Sequence, residues 1–109
     1  RCWRGRATAD QAPHYRAHLL DTVVPHLRRI PGFLGLRLLQ RPHASGVEVQ
    51  VMTEWTSWDA IRAFAGAAPD AAVVEPEARA VLVDFDAHVE HFEVRDVVTL
   101  TTEGDSHGR

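Results

Sequence analysis

The stretch Val47–Trp55, "VEVQVMTEW", alternates without interruption. Val47, Val49, Val51, Thr53 and Trp55 share one face of an extended chain, and Glu48, Gln50, Met52 and Glu54 share the other. Such a pattern belongs to a strand with one side against a core. The segment that follows, "SWDAIRAFAG", changes to helical spacing at once. Ser57 (or Thr56) can cap the new helix, Asp59 complements its dipole and Gly66 can end it.

The rest of the chain arranges itself around this strand–helix unit. "RCWRGRA" reads as a first strand. A helix is expected from Asp10 as N-cap to Ile30, with Pro13 tolerated in its first turn. Tyr15, Leu19, Val23, Leu27 and Ile30 form its apolar face, and Pro25 should kink or break it. Phe33–Arg41 reads as a second strand, joined to the Val47–Trp55 strand by a hairpin ending at Gly46. A loop and a short third helix from Pro76 follow. Asp86–Val94 reads as the fourth strand, where a change of apolar phase asks for a bulge near Glu90 or His91, or for burial on both faces. The order β-α-β-β-α-(α)-β matches a split βαβ, ferredoxin-like α+β plan: a four-stranded antiparallel sheet with its main helices on one face. Residues 1–96 are expected to form the domain and 97–109 a C-terminal extension that ends, from Thr102, as a polar tail.

Composition narrows the function classes. A chain of 109 residues with 45% apolar and 25% charged residues suits one globular domain. A net charge of -3 lacks the basic footprint of a nucleic-acid binder. All 12 basic residues are Arg, so no lysine can form a Schiff base, and Asn is absent as a hydrogen-bond donor. The single cysteine, Cys2, excludes an intrachain disulfide and fits a cytoplasmic protein. No apolar run approaches the ~20 residues of a spanning helix, so no membrane association is expected.

Two tryptophans, Trp55 and Trp58, stand where the alternating strand becomes a helix. Trp55 continues the inward phase of its strand, and Trp58, Ile61 and Ala65 fall on one helical stripe. Two indoles here make either a filled end of the core or the walls of a cleft for a small aromatic ligand. A cleft reading requires a cavity of at least ~300 Å³ beside them. Trp3, Phe64 and His26 are the further candidates to line such a pocket. Tyr15, on the inward stripe, can orient a ligand through its hydroxyl. His91, in "VEHFEV", can act as a base at neutral pH or be a hydrogen-bonded structural residue. His14 and His18 are spaced i, i+4 but have no third ligand, so they read as a solvated helix face and no metal site is expected. Cys2 and the serines lack the settings of nucleophiles. Arg4, Arg6, Arg37 and Arg41 are expected to pair with Glu48 and Glu54 across the sheet.

Taken together, "IPGFLG", "VEVQVMTEWTSWDAIRAFAG" and "FDAHVEHFEV" resemble the antibiotic biosynthesis monooxygenase superfamily over nearly the whole chain. The resemblance implies a homodimer whose two sheets close into an α+β barrel. It implies a cofactor-independent oxygenase acting on an aromatic or polyketide-like compound, since a deprotonated electron-rich phenol can itself reduce oxygen. Trp3, Trp55, Trp58, Phe64 and His26 would then hold the substrate, with His91 as base and Tyr15 as orienting group. Haem-degrading members rely on a first-strand Asn, which this sequence lacks. The competing expectation is a non-catalytic dimeric module that binds a small aromatic or haem, and a third is a structural dimer with the layer filled.

Overall fold

The computed structural model describes residues 1–100; the tail expected from Thr102 lies outside them. Strand β1 (Cys2–Ala7) leads into a helical stretch of three parts: α1 (Ala12–His18), a π turn (Leu19–Val23) and α2 (Val24–Leu27). Strands β2 (Phe33–His43) and β3 (Gly46–Trp55) form a hairpin, followed by α3 (Trp58–Ala65), α4 (Pro76–Arg79) and the short β4 (Asp84–Phe85). The sheet order is β2-β3-β1-β4, and every neighbouring pair is antiparallel. This is the ferredoxin-like α+β plan that the element order predicted.

The long helix shows why its apolar stripe has a spacing of four. In an α-helix four residues advance by about 400°, so such a stripe drifts around the axis. The π turn is wider and takes up part of that drift. The Val24 N–H donates to Leu19 O, five residues back. Pro25 follows immediately, with no N–H to continue an α-helical ladder. The break expected at Pro25 thus takes the form of a π turn just before it. Tyr15, Leu19 and Leu27 are buried and Val23 is half-buried, so the stripe stays on the sheet. The expected cap differs. Gln11 stands at the N-cap without a side-chain bond, and Thr8 Oγ1 accepts from the Gln11 N–H at 3.2 Å.

Val49 is fully buried at the centre of β3, where it joins Tyr15, Leu19 and Ala78 in the core. Among the described residues, no helix covers the opposite face of the sheet. On it Glu48 bridges Arg41 of β2 and Arg6 of β1, while Arg4 reaches Glu90. Of the expected cross-sheet pairs, those of Arg6 and Arg41 form on Glu48.

The last strand departs most from expectation. Regular pairing on β1 is confined to Asp84 and Phe85, opposite Arg6 and Gly5. The chain then leaves the ladder and rejoins it at a bridge between Cys2 and Glu90. Three steps along β1 are matched by five along this segment, a slip of two residues between Phe85 and Glu90. The excursion exists because Ala87 and Val89 pair elsewhere: Ala87 O accepts from Ala72 N–H at 2.9 Å, and Val89 N–H donates to Asp70 O at 2.8 Å. The irregularity therefore precedes Glu90, and His91 lies outside any strand.

Candidate functional site

Two cavities meet at one end of the sheet–helix layer. The inner one, about 60 Å³, lies between the sheet and the helices. Its floor is Trp3, Leu36 and Val51, its roof Tyr15, Leu19 and Leu27. The outer one is an open cleft of about 660 Å³ that abuts both Trp55 and Trp58. Arg1 and Thr53 border both. The size required for the ligand reading is met by the outer cleft. The inner cavity alone is smaller than the ~150 Å³ that holds a benzene ring.

The expected pocket residues divide between these spaces. Trp3, Tyr15 and Phe64 line the inner cavity, and Trp55, Trp58 and His91 line the outer cleft. His26 lines neither and is exposed on α2. Trp3 lies flat enough to reach Tyr15 on one side and Phe85 on the other, with ring centroids 6.1 and 6.2 Å apart. Gly5 makes that possible: a Cβ there would come within 2.7 Å of the Trp3 ring. Trp3 Nε1 is anchored by donating to Asp86 O at 2.9 Å.

Trp55 points as its strand phase predicts. It stacks on Phe64 at 5.6 Å and meets Phe33 edge-on at 5.3 Å. Its Nε1 donates to Thr53 Oγ1 at 2.8 Å, so the indole is oriented as well as packed. Trp58 corrects the expectation that it shares the inward stripe of its helix. It is 49% exposed, and Ala60 is the buried residue of α3. A Cβ on Gly32 would come within 2.6 Å of Ala60, so this is where the helix backbone approaches the layer. Ser57 Oγ accepts from Ala60 N–H at 3.1 Å and fixes the start of the helix. Trp58 consequently lies over the rim, with its ring 4.6 Å from the His91 ring.

His91 is held by the loop between α3 and α4. Its Nε2 lies 3.1 Å from Pro69 O and 3.3 Å from Asp70 Oδ1. Both partners accept, so Nε2 carries the hydrogen, and Nδ1 is buried without a partner. Arg1 grips the same loop, donating to Pro69 O and Ala71 O at 3.0 and 3.1 Å. Burial lowers the Arg1 guanidinium from its ordinary value, and Asp70 partly restores it.

The inner cavity contains a group that sequence reasoning assigned to solvent. His18 is half-buried in its wall, while His14 is exposed. His18 Nε2 lies 3.2 Å from Glu75 Oε1. Burial, and secondarily the charge of Glu75, pushes the Tyr15 phenol above its ordinary value. The signal was present in the sequence: His18 is three positions beyond Tyr15, and residues so spaced on a helix are neighbours. Glu75 gave none, because only the loop's path brings it to the helix. Among the described residues, no group of three or more His, Cys, Asp or Glu side chains is placed to hold a metal ion, and no helix is long and apolar enough to cross a membrane.

No curated protein and no solved structure matches the chain. The sequence model of the family described as "Antibiotic biosynthesis monooxygenase" matches residues 4–76, more than half of the 109. With the ferredoxin-like sheet and the helices that cover one of its faces, this match shows that the chain belongs to the antibiotic biosynthesis monooxygenase family.

Proposed function

We propose that the protein is a cofactor-independent monooxygenase acting on an aromatic ketone or its phenol tautomer. The observation that carries this reading is the junction of two spaces. The outer cleft offers indole walls wide enough for aromatic rings, and the inner cavity offers a buried phenol and an imidazole–carboxylate pair. The substrate's rings lie against Trp55 and Trp58, and its oxygen-bearing end passes Arg1 and Thr53 toward Tyr15. Entry requires the Arg1 side chain, or the loop it grips, to move aside. The reaction replaces an acidic CH₂ by C=O: dioxygen is reduced, one oxygen atom enters the substrate and the other leaves in water. Family membership supports the reaction class, and the geometry supports the substrate's shape.

The test pairs binding with oxygen consumption. Titration with anthrone under argon should quench tryptophan fluorescence saturably, and Trp58→Ala should weaken binding by about twofold to tenfold, the worth of one aromatic contact at ~0.5–1.5 kcal/mol. Under air the complex should consume one dioxygen per quinone formed. Absence of saturable quenching overturns the pocket. Binding without oxygen uptake leaves a non-catalytic binding module, the second reading of the same cleft. The assembly belongs to the same proposal: two copies pair through the uncovered sheet face.

A further inference from the structure

His18 and Glu75 come from different parts of the chain, α1 and the loop leading into α4, yet their side chains meet in the wall of the inner cavity. A carboxylate can only accept, so the hydrogen of a neutral His18 ring resides on Nε2, 3.2 Å from Glu75 Oε1. That leaves the lone pair on Nδ1, which has no protein partner among the described residues. The same division of labour between a carboxylate and an imidazole orients general bases in other enzymes. Tyr15 lines the same space one helical turn earlier. Its buried phenol, pushed upward by desolvation and by Glu75, stays protonated and is free to donate to a substrate oxygen. The other ionisable group on the cavity wall, Arg1, is bound to the loop carbonyls of Pro69 and Ala71. Arg79, nearby on α4, is turned to Val74 O and the Phe85 ring.

We infer that His18, oriented by Glu75, is the base that removes a proton from the ketone end of a substrate that reaches into this cavity from the outer cleft. The inference rests on the proposed function for its substrate class, a ketone with an acidic C–H beside an aromatic ring. In the step, the C–H bond breaks and its proton passes to His18 Nδ1. The electron pair remains on the substrate as an enolate, whose oxygen accepts the Tyr15 O–H. No oxidant takes part, so the step can be observed apart from oxygenation. Glu75 is a positioning residue: it selects the tautomer and stabilises the imidazolium that forms.

The experiment is hydrogen–deuterium exchange of 2-indanone in D₂O under argon, followed by proton NMR, with binding monitored by tryptophan fluorescence. Native protein should accelerate loss of the CH₂ signal over buffer. His18→Ala should lower that acceleration about 100-fold or more, within the usual range for a general base, while binding persists. Added imidazole should restore part of it. Glu75→Gln should move the pH profile of exchange, which a purely structural clasp would not do. His18→Gln, which keeps a donor toward Glu75, covers the case in which the alanine variant fails to fold. Exchange that is unaltered in His18→Gln, or absent from native protein that binds the ketone, overturns the inference and leaves the pocket standing. Failure to bind 2-indanone at all overturns both.

Discussion

Tyr15 lines the inner cavity, and its hydroxyl has no hydrogen bond to another described residue, although the residue is only 4% exposed. A buried phenol without a protein partner contributes little to folding through its oxygen, since a hydrogen bond nets about 1 kcal/mol only where one is made. Tyr15→Phe should therefore leave the melting temperature nearly unchanged and weaken binding of an aromatic ketone about fivefold to tenfold, read by fluorescence titration. Equal losses in both would mean that the hydroxyl serves the fold. His91 presents the opposite case. Its Nε2 is bound to Pro69 and Asp70, which ties it to the loop that leads to Glu75. His91→Ala should raise amide exchange at Val89 and Ala72, which bond to either side of that loop, by about fivefold, the worth of one hydrogen bond of about 1 kcal/mol. Unchanged protection would show that Arg1 holds the loop alone. Tyr15, Trp3 and Phe64 were legible as cavity residues because strand phase and helical spacing fix direction. The pairing of His18 was not, because its partner is a carboxylate 57 positions away in sequence.

Among the elements, β3 was the most legible and the last strand the least, for one physical reason. A strand buried on one face must alternate, and Val47–Trp55 does. The segment after Phe85 answers to two partners at once, β1 on one side and the loop through Asp70 and Ala72 on the other. Its two-residue slip erases a simple period. Three adjacent strands, β2, β3 and β1, are also tied by charge. Burial alone would raise the Glu48 carboxyl, but the Arg41 hydrogen bond and the charges of Arg41, His43 and Arg6 outweigh it and hold the group below its ordinary value. A carboxyl depressed in the folded state contributes stability that is fully present above its unfolded pKa and is lost as pH falls through the folded value. Glu48→Gln should therefore melt lower than the native protein at neutral pH. The difference should close as pH drops below the ordinary carboxylate range near ~4.3. A gap that stays constant from pH 7 to pH 2 would remove this ion cluster from the stability of the sheet.

At the scale of the whole molecule, the chain is a slab of 41 × 38 × 23 Å, and among the described residues the helices lie on one side of the sheet. Its radius of gyration, 15.2 Å, exceeds the ~13 Å typical of a compact chain of this length. The other side of the sheet is uncovered among the described residues. A shallow groove crosses it, lined by Leu34, Leu39 and Met52 from the hairpin and by Phe92 and Val94 beyond the last bridge. Leu34 and Phe92 are 61% and 67% exposed. Arg and Glu side chains stand on the same face, so a second copy offers both apolar and opposite-charge partners to the first. A two-fold pair of slabs, face to face, would bury these residues and shield the Arg6–Glu48–Arg41 cluster from water. Sedimentation equilibrium at micromolar concentration should accordingly give twice the 12.2 kDa chain mass. Leu39→Asp, which places a charge in the middle of the groove, should give the single-chain mass while the far-ultraviolet dichroism stays native. A native protein that sediments only as the 12.2 kDa species would leave the groove without its proposed occupant. The His18–Glu75 pair would be unaffected, because neither residue lines the groove.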